Sequence, residues 1–303
     1  MTRKEKILIN IKSETQIGLE IGPLSKPIIT REMGNVRYVD HATTEELRKK
    51  CAPWGTVDLS KIVNVDYVWG EKSLKELTIN EYPFDYVLAS HVIEHVPDFI
   101  GWLKEIRSVL KTGGILSLAI PDKRFTFDYL RNLTKPADIL EAYLLQSKQP
   151  SLKQIFDYKS EFVHRNKEYM WSIFGFKEKL IYEHSLNEAW EITKNAFSNK
   201  EYTDVHCWVF TDISFLELVK TLVNLDMFDF KIARFFPRTG HEFFVSLEAL
   251  DSNLNKDDRL QIQFESINNI QKKINKPFRR VSFDYRSWKI VNILHFIKRK
   301  FTN

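Results

Sequence analysis

The feature that most constrains this chain is the alternation of short apolar runs with helical patterns over residues 17–122. IGLEIG (17–22), VRYVDH (36–41), IVNVDYVW (62–69), FDYVLAS (84–90) and ILSLAIP (115–121) each read as a short buried strand. Between them, TEELRKK (44–50) opens with a threonine start signal. PDFIGWLKEIRSVLK (97–111) places Phe99, Trp102, Leu103, Ile106, Val109 and Leu110 on one face, with Pro97 near its start and Gly113-Gly114 as its stop. Strands that alternate with helices demand a parallel sheet with right-handed crossovers.

Residues 123–203 break that rhythm. They are helical in pattern and rich in aromatics (Tyr143, Phe156, Tyr158, Phe162, Tyr169, Trp171, Phe174, Trp190). The sheet pattern resumes with VHCWVFT (205–211), a helix over 214–225, then FDFKIARFF (228–236) and HEFFVSLEAL (241–250), joined by Pro-Arg-Thr-Gly as a hairpin. The chain therefore divides into an α/β core of 1–122 and 204–250, a helical cap of 123–203 and a tail of 251–303. No internal repeat is visible.

At 43% apolar and 28% charged residues the composition is that of a globular protein, not a disordered one. No run reaches the ~18–20 apolar residues of a spanning helix. The start, MTRKEKILINIK, lacks the apolar core of a secretory signal, so a cytoplasmic location is expected. Cys51 and Cys207 are far apart and suggest neither a disulfide nor a thiolate metal site. Residues 271–303 hold ten Lys or Arg against Asp284 alone, a charge of +9, which leaves −4 for residues 1–270 of the total +5. The acidic body speaks against a nucleic-acid-binding core, and the tail is the basic element.

The strand order and motifs together resemble the class I S-adenosylmethionine (SAM)-dependent methyltransferases, whose seventh strand inserts antiparallel beside the sixth. GLEIG (18–22) looks like the family's first motif, and FDYVLASHVIEHVPD (84–98) and LKTGGILSLAIPD (110–122) look like its strand-four and strand-five motifs. The resemblance implies SAM as cofactor, held by Glu20, Gly22, Pro23, Asp40, His41, Asp66, Tyr67, Ser90 and His91 at successive strand ends. Asp40 would take the ribose hydroxyls, as a strand-end carboxylate does in dinucleotide sites. Gly22 would let the backbone approach the ligand. Glu20 would either pair with a donor on the cofactor or position the loop. The first loop departs from the family pattern: GPLSKP replaces a run of glycines, and only 13 residues separate Gly22 from Val36. An irregular loop with at most a short helical turn is expected. A nicotinamide dehydrogenase needs the glycine-rich turn for its pyrophosphate and is disfavoured.

The chemistry-bearing candidates follow strand four: His91, Glu94 and His95 in SHVIEHVPD. His95 is a candidate general base; alternatively it packs under the cofactor while Glu94 caps the next helix. H-x-x-E-H also resembles the E-x-x-E-H of small-RNA 3′-terminal 2′-O-methyltransferases and ubiquinone-pathway O-methyltransferases. That resemblance implies a divalent metal on His91, Glu94, His95 and the distant His206, with His in the first position favouring a softer ion than magnesium. The same string matches an inverted zinc-protease motif, but that motif belongs within a helix, and this one follows a strand with Pro97 close behind. Arg124, after strand five, is a rim candidate for a phosphate or carboxylate. Aromatics of the cap would form either a sugar-binding lid or the cap's own core.

In the tail, Leu260, Phe264, Ile267, Ile270 and Ile274 recur at helical spacing over 258–274 and suggest a docking or homo-oligomer helix. Residues 277–303 carry Ile290, Ile293, Leu294, Ile297 and Phe301 beside Lys298, Arg299 and Lys300, a basic amphipathic pattern suited to the inner face of an anionic membrane or to the protein's own surface. The whole chain resembles a bacterial group of methyltransferases associated with polysaccharide and lipopolysaccharide assembly, on GLEIGPLSKP, SHVIEHVPDFIGWLKEI, LSLAIPDKRFTFDYLR and DVHCWVFT. That resemblance implies O-methylation of a sugar hydroxyl on a glycan or lipid-linked saccharide. The alternatives are a SAM-binding regulatory or scaffold module without catalysis, and an O-methyltransferase of a small quinone-like or nucleic-acid hydroxyl.

Overall fold

The IGLEI run forms β1 (Ile17–Ile21), and its burial on both faces is what a central parallel strand requires. The computed structural model describes residues 1–164, 180–200 and 202–274. Around β1 stand β2 (Asn35–Asp40), β3 (Tyr67–Val68), β4 (Phe84–Ser90) and β5 (Leu110–Pro121), all parallel. Past the cap, β8 (Phe230–Thr239) and β9 (Glu242–Ala249) complete a seven-stranded sheet in the order β3-β2-β1-β4-β5-β9-β8. β9 runs antiparallel between β5 and β8. The turn between β8 and β9 falls at Gly240, whose φ of 72° is left-handed.

The loop after β1 contains no helix, as Pro23 and Pro27 dictate. The sheet face it would have covered is closed instead by Ile28 and Ile29 of that loop and by Ile7 of the N-terminal helix α1 (Arg3–Ile7), packed with Val36, Tyr38, Tyr86, Leu88, Ile115 and Phe244. Gly18 is required here by space: a Cβ would lie 2.3 Å from the Tyr86 ring.

Helix α2 (Thr44–Cys51) begins on a Thr43–Glu46 capping box, and a single turn α3 (Leu74–Leu77) on a Ser73–Glu76 one. Helix α4 (Phe99–Val109) starts on Asp98, whose side chain accepts from the Gly101 N–H, and buries Phe99, Ile100, Trp102, Leu103, Ile106 and Val109. It passes directly into β5 at Leu110, and Gly113-Gly114 lie in an irregular stretch of that strand, not at a helix stop. The cap comprises α5 (Pro136–Leu144), α6 (Leu152–Glu161), the short pair β6 (Val163–His164) and β7 (Ile181–Tyr182), and α7 (Leu186–Asn199). Helix α8 (Asp212–Asn224) follows the return from the cap. Both cysteines are buried and free.

Two expectations change. Residues 62–66 are not strand; only Tyr67 and Val68 pair, with Val39 and Asp40. VHCWVFT is not a sheet strand either. Its Cys207 and Trp208 N–H groups donate to the Glu94 carbonyl, and Trp208 Nε1 donates to the Val96 carbonyl at 2.6 Å. Its polar backbone is thus satisfied by the turn after β4 instead of a ladder. Helix α9 (Lys256–Ile274) begins in the unit Met1–Ile267, where Ile267 is buried and Gln263 donates to the Phe230 carbonyl at 3.1 Å. A second unit, Asn268–Asn303, is described only to Ile274. Tyr169, Trp171, Phe174 and the 277–303 segment lie outside the described residues. Among the described residues, no helix is long and apolar enough to cross a membrane.

Candidate active site

The carboxyl ends of β1, β2 and β4 meet at one edge of the sheet. Gly22 turns there with φ of 63°, and a Cβ would lie 3.1 Å from Val92 Cγ2. Both facts call for glycine: the backbone is left-handed and the strand-four turn leans against it. Pro23 opens the following turn, its carbonyl accepting from the Lys26 N–H at 2.9 Å. Glu20, one residue before the strand's end, is 2% exposed, and its two oxygens accept the Ile28 and Ile29 N–H groups at 2.7 and 3.1 Å. Burial pushes its carboxyl up to about 7 against those two hydrogen bonds. Of the two roles open to Glu20, the structure gives it that of shaping the loop.

Asp40 ends β2 almost fully buried, with Oδ1 taking the His41 N–H at 2.8 Å and His41 Nδ1 at 2.7 Å. No described group donates to its Oδ2. Asp66 and Tyr67 do not reach this edge. Because Asp40 pairs with Val68, the carboxyl end of β3 is Val68–Trp69, and Asp66 sits two residues below it. There Asp66 accepts the Tyr38 N–H at 2.7 Å and pairs with Arg31 at 2.8 Å. The Tyr67 hydroxyl donates to Glu81 at 2.7 Å, and burial together with that carboxylate pushes the phenol up to about 12.

The turn after β4 holds the remaining candidates. Ser90 Oγ accepts from Arg3 Nη2 at 2.7 Å. His91 has a left-handed φ of 55°, a conformation costing a non-glycine residue roughly 1–3 kcal/mol and characteristic of functional sites. Its ring is fixed by Glu242, Nε2 to Oε2 at 2.9 Å, and Nδ1 stands 3.7 Å from Glu94 Oε1. Glu242 also receives Arg3 Nε and Nη2 at 2.8 and 3.0 Å. Burial would raise this carboxyl, but His91 and Arg3 bring it down to about 2. His91, Glu242 and the nearby His241 are close enough to share a cation, yet the Arg3 guanidinium already serves that carboxylate.

Glu94 is fully buried, and neither carboxylate oxygen has a hydrogen-bond partner among the described residues. A carboxylate in that position is costly unless something arrives to use it. Its neighbours are His95 and His206, whose rings meet edge to face at 4.6 Å. Ligating atoms of Glu94, His95 and His206 all lie within 4.8 Å of one another. Each imidazole is held from behind by a carboxylate: His95 Nδ1 by Asp204 Oδ1 at 2.8 Å, and His206 Nδ1 by Asp128 Oδ2 at 2.6 Å. A carboxylate accepts only, so each Nδ1 carries the proton and each Nε2 is the open nitrogen. Burial opposes the charged form of His95, but the Asp204 bond and the Glu94 charge raise it overall. Asp128 is itself buried; burial would raise it, but His206 and Arg131 hold it well below the usual carboxylate range. Arg131, also buried, bridges Asp128 and Asp157 at 2.8 Å each.

The structure thus brings Glu94, His95 and His206 together, sets His91 beside them, and gathers Gly22, Pro23, Asp40, His41 and Ser90 along the same edge. Arg124 is paired with Asp122 and Asp212 at 2.6 and 2.7 Å. Trp208 is core. Phe127 and Phe162 stack on each other at 4.4 Å, with Phe127 4.8 Å from His206, so these two cap aromatics are spent on mutual packing at the site's border. Asp204, Asp128, Glu242 and Arg3 were not foreseen. Asp204 stands two residues before His206 in TDVHCW, a signal of sorts; Asp128 in FTFDYL offered none.

A family described as a methyltransferase domain matches residues 16–210. Similar solved structures include the CcbJ methyltransferase from Streptomyces caelestis, with 16% identity and TM-score 0.29 over 41% of this chain and 53% of that one. The CurJ carbon methyltransferase has 12% identity and TM-score 0.36 over 80% and 51%. A SAM-dependent methyltransferase from Methanosarcina mazei has 19% identity and TM-score 0.39 over 80% and 97%. The chain spans about half the length of the first two. No curated protein matches it.

Proposed function

The chain belongs to that family of methyltransferases, and on this premise we propose that it is a SAM-dependent O-methyltransferase of a sugar hydroxyl, on a glycan end or a lipid-linked saccharide. The observation that carries oxygen as the acceptor is the buried Glu94 carboxylate set between two imidazoles whose outer nitrogens are each anchored by an aspartate. A hydroxyl must shed a proton as it takes a methyl group, and this cluster supplies the acceptor for it.

The edge fits the cofactor in two respects: Gly22 presents bare backbone where a Cβ would crowd Val92, and Asp40 keeps Oδ2 clear of described donors. SAM supplies a methyl group on a sulfonium, transferred by in-line displacement. Asp40 would accept the ribose hydroxyls, the Gly22–Pro23 turn would carry the chain past the ligand, and Ser90 and His91 would form its floor. His95 takes the acceptor's proton on Nε2, with Asp204 fixing the ring and stabilising its charged form, as the carboxylate does in a Ser-His-Asp triad. Glu94 attracts that charge at close range. His206 and His91 orient the acceptor hydroxyl.

The donor set of one carboxylate and two imidazoles backed by aspartates also fits a divalent cation of the zinc, iron or manganese class. Such an ion would be held by Glu94, His95 and His206, with His91 adjacent, and would supply a lowered hydroxyl pKa in place of the base role of His95. The cap over 123–203 supports an acceptor-side role, since it delivers Asp128, which anchors the His206 ring, and the aromatic border of the cluster. The basic tail of 271–303 agrees with a lipid-linked acceptor at an anionic surface.

The test is calorimetric titration with SAM, followed by transfer of labelled methyl from SAM to a panel of oligosaccharides and lipid-linked saccharides. Binding with label in a saccharide, lost in His95→Asn, is the expected result. Binding without transfer to any acceptor, unaffected by changes at Glu94 or His95, would favour a regulatory module instead.

A further inference from the structure

Four polar contacts run without a gap from the end of β2 to the turn after β4. Asp40 Oδ1 meets His41 Nδ1 at 2.7 Å, and His41 Nε2 meets Lys50 Nζ at 3.3 Å. Lys50 Nζ then meets Asp204 Oδ2 at 3.5 Å, and Asp204 Oδ1 meets His95 Nδ1 at 2.8 Å. The donors and acceptors agree along the whole series. An ammonium only donates, so His41 accepts on Nε2 and donates from Nδ1 to Asp40. Asp204 accepts on both oxygens, from Lys50 and from the Nδ1–H of His95.

Three separate parts of the chain meet in this series: the β2–α2 segment, the return from the cap, and the strand-four turn. β1 lies between β2 and β4 in the sheet. The series therefore crosses the end of β1, where Gly22 turns. Lys50 is not needed to hold the return segment, which is already fixed by Cys207 and Trp208 N–H bonds to the Glu94 carbonyl and by Trp208 Nε1 on Val96. Nor is it a significant source of stability: the Lys50 and Asp204 side chains are 38% and 43% exposed, and such pairs contribute little to folding.

We propose that Lys50 and Asp204 form a strap across the bound cofactor, with Lys50 a positioning residue that keeps His95 in its Nδ1–H form and slows cofactor release. The proposal rests on the SAM site at Gly22 and Asp40 described above. Because one ammonium touches both the Asp40–His41 pair and Asp204, seating of the cofactor and alignment of His95 become a single event. Asp204 has two jobs, one per oxygen, and loses the fixed orientation of the second when Lys50 is removed.

The experiment compares wild type, Lys50→Arg, Lys50→Met and the exposed control Lys49→Met, with SAM as the probe. Release of SAM is followed by stopped-flow tryptophan fluorescence, the His95 tautomer by nitrogen-15 NMR of histidine-labelled protein, and folding by thermal melts. Lys50→Met is expected to release SAM about three- to fivefold faster, the loss of one exposed charge pair, with Lys50→Arg and Lys49→Met within about twofold of wild type. The single Nδ1–H signature of His95 should blur in Lys50→Met alone, with melting temperature unchanged. Wild-type release and an unchanged tautomer in Lys50→Met, or an equal effect in Lys49→Met, would overturn the strap. Failure of the wild type to bind SAM would instead overturn the cofactor reading on which it rests.

Discussion

Replacing Glu94 by glutamine should make the protein more stable while disabling its chemistry. Glu94 is fully buried and neither oxygen is hydrogen-bonded by a described group. Leaving such a group unsatisfied costs about 1–3 kcal/mol, more when it is charged. Part of that cost is offset because Glu94 favours the charged form of His95. Removing the charge therefore yields a net gain near the lower end, about 1–2 kcal/mol, or roughly 3–6 °C in melting temperature for a body of this size. Differential scanning calorimetry of the two proteins, freed of divalent ions with a chelator, reads this directly. A residue kept for structure behaves in the opposite way: its loss lowers the melting temperature. A Glu94→Gln protein less stable than wild type would refute the reasoning that Glu94 is maintained for its chemistry at the expense of the fold.

Three further outcomes follow from the same geometry. Asp128→Asn leaves Arg131 buried with one partner fewer and frees the His206 ring, so urea denaturation should show a loss of about 3–5 kcal/mol. Gly22→Ala adds a Cβ against Val92 in a left-handed position, at a cost of about 1–2 kcal/mol, and SAM affinity measured by calorimetry should fall roughly tenfold. Glu20 has its folded-state carboxyl raised to about 7 from an ordinary 4.5, so the native state binds the extra proton. Stability should fall as pH rises between those values and level off above them, by at most about 3 kcal/mol, and Glu20→Gln should flatten the curve in pH-resolved denaturation.

The parallel core was legible because its strands carry their own signature: five short apolar runs that alternate with helical patterns. The strand-four motif carries Glu94 and His95, which the structure brings together with His206 in the candidate site. What failed was local. The apolar pattern of 62–69 overstated β3, since Val63 and Asp66 are spent on the Leu24 and Tyr38 carbonyls and only Tyr67 and Val68 are left to pair. VHCWVFT has the composition of a strand, yet its Cys207 and Trp208 amides serve the carbonyl of Glu94, in a turn far back along the chain, which no periodicity reveals. Asp66 lies inside the 62–69 run, and the register keeps it two residues below the strand's end at Val68. Asp128, Asp204 and Glu242 were invisible for a related reason. Each matters through the imidazole behind which it stands, and that partnership exists only once the cap and the hairpin have folded over the turn.

We propose transfer of the SAM methyl group to a hydroxyl through the Glu94–His95–His206 cluster. Its most direct test is carbon-13 NMR of the product formed from methyl-labelled SAM in a single turnover, with wild type and His95→Asn compared under saturating cofactor. An O-methyl signal is expected from wild type and its near absence from His95→Asn, with SAM still bound by both. A label attached to nitrogen or carbon, or an O-methyl signal undiminished in His95→Asn, would contradict it.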